Sequence, residues 1–75
     1  MKISSKIENN TVKIYIDNIL HIFYNQNKLC GIKSWINGIN WYCIDIYLKN
    51  STISLLYDNV KKWKGIINEL DKILL

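Results

Sequence analysis

The side chains able to do acid–base, nucleophilic or metal chemistry in this chain are few. They are one histidine, His21, two cysteines, Cys30 and Cys43, and carboxylates scattered over turns and strands, among them Asp17, Asp45 and Asp58. His21 sits inside the run Leu20-His21-Ile22-Phe23, where an imidazole suits a core or edge position better than general-base work. A nucleophilic cysteine needs a base within hydrogen-bond reach and a further group to orient that base. Cys30 and Asp45 can be set opposite one another across a hairpin, but no second base orients them. A structural zinc site takes four nitrogen or sulfur ligands at close spacing, and two distant cysteines with one histidine do not supply them. Both cysteines therefore read as small hydrophobes in a reducing compartment. Gly31, Gly38 and Gly65 stand alone and none opens a helix after a strand, so no phosphate-cradling loop is present. The expectation is a non-enzyme with no metal and no cofactor.

The elements that position these residues must fit in 75 residues, which allow one domain with a small core. Nearly half the residues are hydrophobic, 49%, which argues against disorder. The chain holds 15 Ile, 10 Asn and 10 Lys and no Ala, Arg or Pro. The favoured three share A/T-rich codons, so much of the asparagine is compositional, including the two chance matches to a glycosylation sequon at Asn9-Asn10-Thr11 and Asn50-Ser51-Thr52. The net charge of +4 comes from lysine alone. Lysine neutralises phosphates without reading bases, whereas bidentate recognition leans on arginine. No apolar run approaches the ~20 residues of a membrane span. The start, Met1-Lys2-Ile3-Ser4-Ser5-Lys6, lacks the apolar stretch of a signal peptide, so a cytoplasmic location is expected.

From Asn59 to Leu75, apolar residues recur at Val60, Trp63, Ile67, Leu70 and Leu74, widened by Ile66 and Ile73. This spacing predicts one amphipathic helix, with Asp58 or Asn59 as its cap. The rest reads as hairpins. A turn at Asn9-Asn10 sets Ile7 by Val12, Ser5 by Ile14 and Ile3 by Ile16. A turn at Asp17-Asn18 sets Ile16 by Ile19, Ile14 by His21 and Val12 by Phe23. A turn at Asn50-Ser51 sets Leu48 by Ile53, Ile46 by Leu55 and Ile44 by Tyr57. Each keeps its apolar residues on one face, as side-chain alternation demands. The predicted fold is α+β: one domain over residues 1–75, an antiparallel sheet of five to six strands in a meander of hairpins (1–57), and one C-terminal helix (58–75) packed on one face.

The hairpin of residues 29–48 decides which residues point away from the helix. Asn37-Gly38 is the strongest turn signal in the chain. A two- or four-residue loop there puts Leu29, Trp35, Tyr42, Ile44 and Ile46 against the helix, and Lys33 with them, which is a conflict unless Gly31 marks a bulge. A three-residue loop swaps the faces. With an even loop the outward side carries Ile32, Ile36, Ile39, Trp41, Cys43 and Tyr47, more apolar surface than a solvated sheet face normally shows. These six are the expected partner-binding residues, for a protein partner or a second copy in a homodimer. Lys13, Tyr15 and Lys49 form a less favoured candidate surface for nucleic acid, through charge and stacking.

The stretch from Ile44-Asp45-Ile46-Tyr47-Leu48 through Ile73-Leu74-Leu75 resembles a strand–turn–strand–helix unit of tiny phage and mobile-element proteins. In size, single-domain build and lack of a catalytic motif, the chain is similar to anti-CRISPR and related anti-defence proteins, a resemblance of type that carries no residue over. It implies a stoichiometric inhibitor that works in the cytoplasm of a bacterial host and blocks a CRISPR-Cas-like defence complex by occlusion. Two alternatives of other classes are a nucleic-acid-binding protein and a sponge for a nucleotide signal.

Overall fold

The computed structural model describes residues 1–74; Leu75, the expected last residue of the helix, lies outside the described residues. The order is β1 (Ile3–Glu8), β2 (Thr11–Ile16), β3 (Ile19–Asn25), a 3-10 turn (Gln26–Lys28), β4 (Leu29–Asn37), β5 (Trp41–Leu48), β6 (Thr52–Tyr57) and α1 (Val60–Leu74). The α+β class and antiparallel hairpins are as the sequence pattern predicts. The single sheet is not: β1-β2-β3 and β4-β5-β6 form two separate three-stranded sheets. The 3-10 turn breaks the meander between them. Asn25 caps it by accepting from Asn27 N–H at 2.9 Å.

Two tight turns build the first sheet. Asn9, Asn10, Asp17 and Asn18 all have positive φ, between 51° and 68°, the backbone that a two-residue hairpin loop requires and that Asn and Asp tolerate. Ile3 pairs with Ile16 and Ile7 with Val12, the expected register. On β3 the pairing slips by one residue beyond Leu20, so Ile14 faces Ile22 and Val12 faces Tyr24. The bulge at His21 corrects the expected pairs with His21 and Phe23. It turns Ile22 and Tyr24 into the core and Phe23 out to solvent.

In the second sheet Asn37 pairs with Trp41, so the loop is Gly38-Ile39-Asn40, with Gly38 at φ 74°. This odd loop swaps the faces relative to the even-loop expectation. Ile32, Ser34 and Ile36 share the inner side with Tyr42, Ile44 and Ile46, while Lys33, Trp35 and Asn37 turn outward with Trp41, Cys43 and Asp45. A bulge between Leu29 and Gly31 resets the alternation, so Leu29 still packs on the core and the Lys33 conflict disappears. The β5–β6 register lies two residues from the expected one, pairing Ile46 with Ile53 and Ile44 with Leu55. A shift of two keeps every side chain on its face.

The core forms where three layers meet: Val12, Ile14, Ile22 and Tyr24 from the first sheet, Ile44, Ile46 and Tyr57 from the second, and Ile66 and Leu70 from α1. Asn59 Oδ1 accepts from the Lys61 and Lys62 amides at 3.0 and 3.1 Å, capping the helix. Gly65 lets α1 approach β1: a Cβ there would stand 2.5 Å from Ile3 Cδ1. Trp63, on the buried stripe, donates its indole N–H to Cys43 C=O at 3.0 Å and stacks tilted on Tyr42. These contacts hold the helix against the inner side of β5, which leaves the outer side of the second sheet uncovered.

Candidate protein-contact face

Cross-strand register divides the outer side of the second sheet into rows. Gly31, Tyr47 and Thr52 make the first, Lys33, Asp45 and Ser54 the second, Trp35, Cys43 and Leu56 the third, and Asn37 with Trp41 closes the end nearest the loop. Leu56 is 59% exposed and Trp41 48%, values that mark apolar side chains with nothing packed on their outer surface. Cys43 lies between Trp35 and Leu56 and is only 5% exposed, because the larger neighbours overhang it. A dent of about 280 Å³ above it is lined by Trp35, Cys43, Asp45, Ser54, Leu55 and Leu56. Beside this apolar row the charges are held in place. Lys33 Nζ stands 4.9 Å from the Trp35 ring centroid, a cation–π distance, and the Tyr47 hydroxyl donates to Asp45 Oδ2 at 3.3 Å. Desolvation, then the Asp45 charge, raises the Tyr47 phenol above its usual pKa.

The six expected partner-binding residues do not stay together. Trp41, Cys43 and Tyr47 are on the outer face, with Cys43 as its buried floor. Ile32 and Ile36 lie on the inner side; Ile32 packs on the core, while Ile36 runs past it near the end of the edge strand and stays exposed. Ile39 stands on the loop, 90% exposed. The face also contains Trp35 and Leu56, which the expected set lacked. Lys33 was the signal for Trp35, since a lysine forced against the core is the mark of a wrong loop parity. Leu56 already alternates outward from Leu55 and Tyr57 on any even shift of β6.

The candidate nucleic-acid residues are divided between the sheets. Lys13 and Tyr15 lie on the outer side of the first sheet, and Lys49 in the β5–β6 turn. Lys6 and Lys13 both reach Glu8, at 3.6 and 2.8 Å. The Lys13 hydrogen bond and charge hold the Glu8 carboxyl below its usual pKa and raise Lys13 in turn.

The residues with chemical potential are also apart. Asp45 pairs with Lys33, so Cys30, in the bulge, does not face it as a two-residue loop would require. Cys30 is exposed, Cys43 buried, and neither is in a disulfide. Among the described residues no group of three His, Cys, Asp or Glu gathers to hold a metal ion, and no helix is long and apolar enough to cross a membrane. His21 shares a 2.6 Å hydrogen bond with the Tyr57 hydroxyl. Burial, then the Lys62 charge, lowers the imidazole pKa, and burial pushes the Tyr57 phenol up to about 12. At neutral pH this is a pair of uncharged rings joining β3 to β6. Compared with protein-family models, with curated proteins and with solved structures, the chain matches none.

Proposed function

We propose that the chain is a non-enzymatic protein-binding module whose contact surface is the outer face of β4–β6. The observation that carries this reading is the uncovered face itself. Trp41 and Leu56 stand open on it beside Trp35, and aromatic residues are enriched where proteins meet. The core lies on the opposite side of the same sheet, and none of these three side chains belongs to it. Nucleic acid is the poorer occupant. The two lysines nearest Tyr15 on the first sheet are already engaged by Glu8, and arginine is absent. Catalysis has little support: His21 is paired with a phenol instead of a carboxylate, and the hydrogen bond of the exposed Cys30 thiol goes to the Lys28 carbonyl at 3.7 Å.

The resemblance in size and build to anti-defence proteins adds a class of partner, a bacterial defence complex, and a mode of action, stoichiometric occlusion in the host cytoplasm. The test is affinity capture from bacterial lysate with wild type and with Trp41→Glu, quantified by mass spectrometry. The expected result is a protein retained by wild type and lost by a Trp41→Glu variant with an unchanged circular dichroism spectrum. Equal capture by both would end the assignment of this face. Binding to single-stranded DNA or RNA that weakens steeply with salt would favour nucleic acid instead.

A further inference from the structure

We infer that the outer face of the second sheet binds a second copy of this chain, across a two-fold axis that runs parallel to the strands between β4 and β5. This rests on the assignment of that face as a contact surface and names its occupant. A two-fold interface is isologous, so one patch must be complementary to itself. An axis placed there lays each β4 residue of one copy over the β5 residue that is its own cross-strand partner, but in the other copy. The register therefore lists the contacts: Trp35 over Cys43, Lys33 over Asp45, Gly31 over Tyr47 and Asn37 over Trp41.

All four pairs are complementary. Trp35 meets the dent of about 280 Å³ over Cys43, which Trp35, Asp45, Ser54 and Leu56 of the other copy help to line. Tyr47 meets a glycine above which the space is open, since a Cβ built on Gly31 has no atom within 4 Å. Trp41 meets the shorter Asn37. Lys33 meets an opposite charge, and the same pair forms twice by symmetry. Neither Lys33 nor Asp45 has an ion-pair partner within its own chain among the described residues. Like charges would coincide if the axis were centred on β5, and Trp41 would then meet Trp41 head-on. Sheets stacked face to face normally keep their strands within about 30°, which this axis permits. A two-fold contact also fits a chain whose small size leaves a small core.

Size-exclusion chromatography with light scattering at about 200 µM, a concentration that populates a dimer even at roughly micromolar affinity, is the test. The expected wild-type mass is twice the 8.9 kDa of one chain. Gly31→Leu fills the open space above β4 and is expected to run as a folded monomer with an unchanged circular dichroism spectrum. Lys33→Asp and Asp45→Lys each place like charges together and are expected to raise the dissociation constant about tenfold or more; the double variant restores it. A monomeric wild type overturns the proposal whatever the variants do. So does a dimer that Gly31→Leu leaves intact, or a double variant no tighter than the singles. A monomeric wild type whose Trp41→Glu variant still loses its captured protein would overturn the dimer alone and leave the contact face standing.

Discussion

Replacing Tyr24 and Tyr57 by phenylalanine should move stability in opposite directions, although both rings belong to the same core. Tyr24 is 3% exposed and its hydroxyl is the one buried side-chain polar atom without a hydrogen-bond partner among the described residues. Burial raises its pKa, the signature of a phenol removed from water with no charge or acceptor beside it. An unsatisfied buried hydroxyl costs ~1–3 kcal/mol. Removing it leaves a void worth a few tenths of a kcal/mol at ~24 cal/mol per Å³. Tyr24→Phe should therefore stabilise by about 1–2 kcal/mol, and each kcal/mol raises Tm by about 4–8 °C in a domain of this size. The Tyr57 hydroxyl is bonded to His21 at 2.6 Å, so Tyr57→Phe loses a made bond and should cost ~0.5–1.5 kcal/mol. Urea unfolding of the three proteins, followed by tryptophan fluorescence at one concentration, gives both changes. Shifts of the same sign in the two variants would refute the assignment of the two hydroxyls.

Gly65→Ala tests the closeness of α1 to β1. The helix gains ~1 kcal/mol from Ala over Gly, but the new Cβ would stand 2.5 Å from Ile3 Cδ1, and overpacking costs ~1–3 kcal/mol. The single change should be neutral or destabilising, whereas in an Ile3→Val background, which lacks that methyl, the same change should stabilise. Equal effects in both backgrounds would place the helix further from β1. His21 sets a pH dependence. Its folded pKa lies below the usual 6.5, so as pH falls through about 6.5 the unfolded chain takes up the proton first, and stability declines until the folded pKa is passed. The urea midpoint should be lower near pH 5 than near pH 7, with the difference reduced in His21→Gln; a midpoint that rises on acidification contradicts this. The two thiols should separate by rate: exposed Cys30 reacts with a thiol reagent at once, while Cys43 waits for local opening. Equal rates would mean that the row above Cys43 is not closed.

How much of this was legible follows from which residues carry strong local preferences. The turns at Asn9-Asn10 and Asp17-Asn18 are readable because Asn and Asp accept positive φ at little cost, and the first hairpin register follows from them. The helix is readable from its period. The bulge at His21 is not, since one extra residue on an edge strand is decided by whether Ile22 or Phe23 fills the core better, a matter of three-dimensional packing. The division into two sheets is equally hidden, because hairpin arithmetic says which strands pair within a hairpin and nothing about Asn25 through Leu29, where a capped 3-10 turn replaces a β turn. Glu69 escaped notice for a similar reason. It lies on the helix face turned to β1, buried except for its ion pair with Lys72 at 2.8 Å, and accepts from the Ser5 hydroxyl at 3.2 Å. Its spacing, three residues after Ile66 and four before Ile73, sets it beside the buried stripe, but the Ser5 partner that permits a carboxylate there comes from tertiary packing.

The largest difference between expectation and structure comes from one residue of loop length, and it decides which side chains form the proposed contact face. Asn37-Gly38 attracts a two-residue turn, but that turn would press Lys33 toward the helix and leave Ile32 outside. The three-residue loop gives up the preferred turn and in return frees the lysine and buries Ile32 against the core. Desolvating a lysine without a partner costs several kcal/mol, whereas turn types differ by far less, so the side chains choose the loop. What they then leave outward is Trp35, Trp41 and Tyr47 on a skeleton of Lys33, Asp45 and Gly31. Inserting one residue between Gly38 and Asn40 would set these two demands against each other again. The inserted chain must either rebuild a bulge to keep Lys33 out, preserving the proposed contact face, or bury the lysine and lose stability. Thiol reactivity separates the outcomes, since Cys43 stays protected beneath Trp35 and Leu56 only if the present face survives. Retained protection with lost dimerisation would show that the loop, with Ile39 at its tip, makes the contact, and that the rows of the sheet do not.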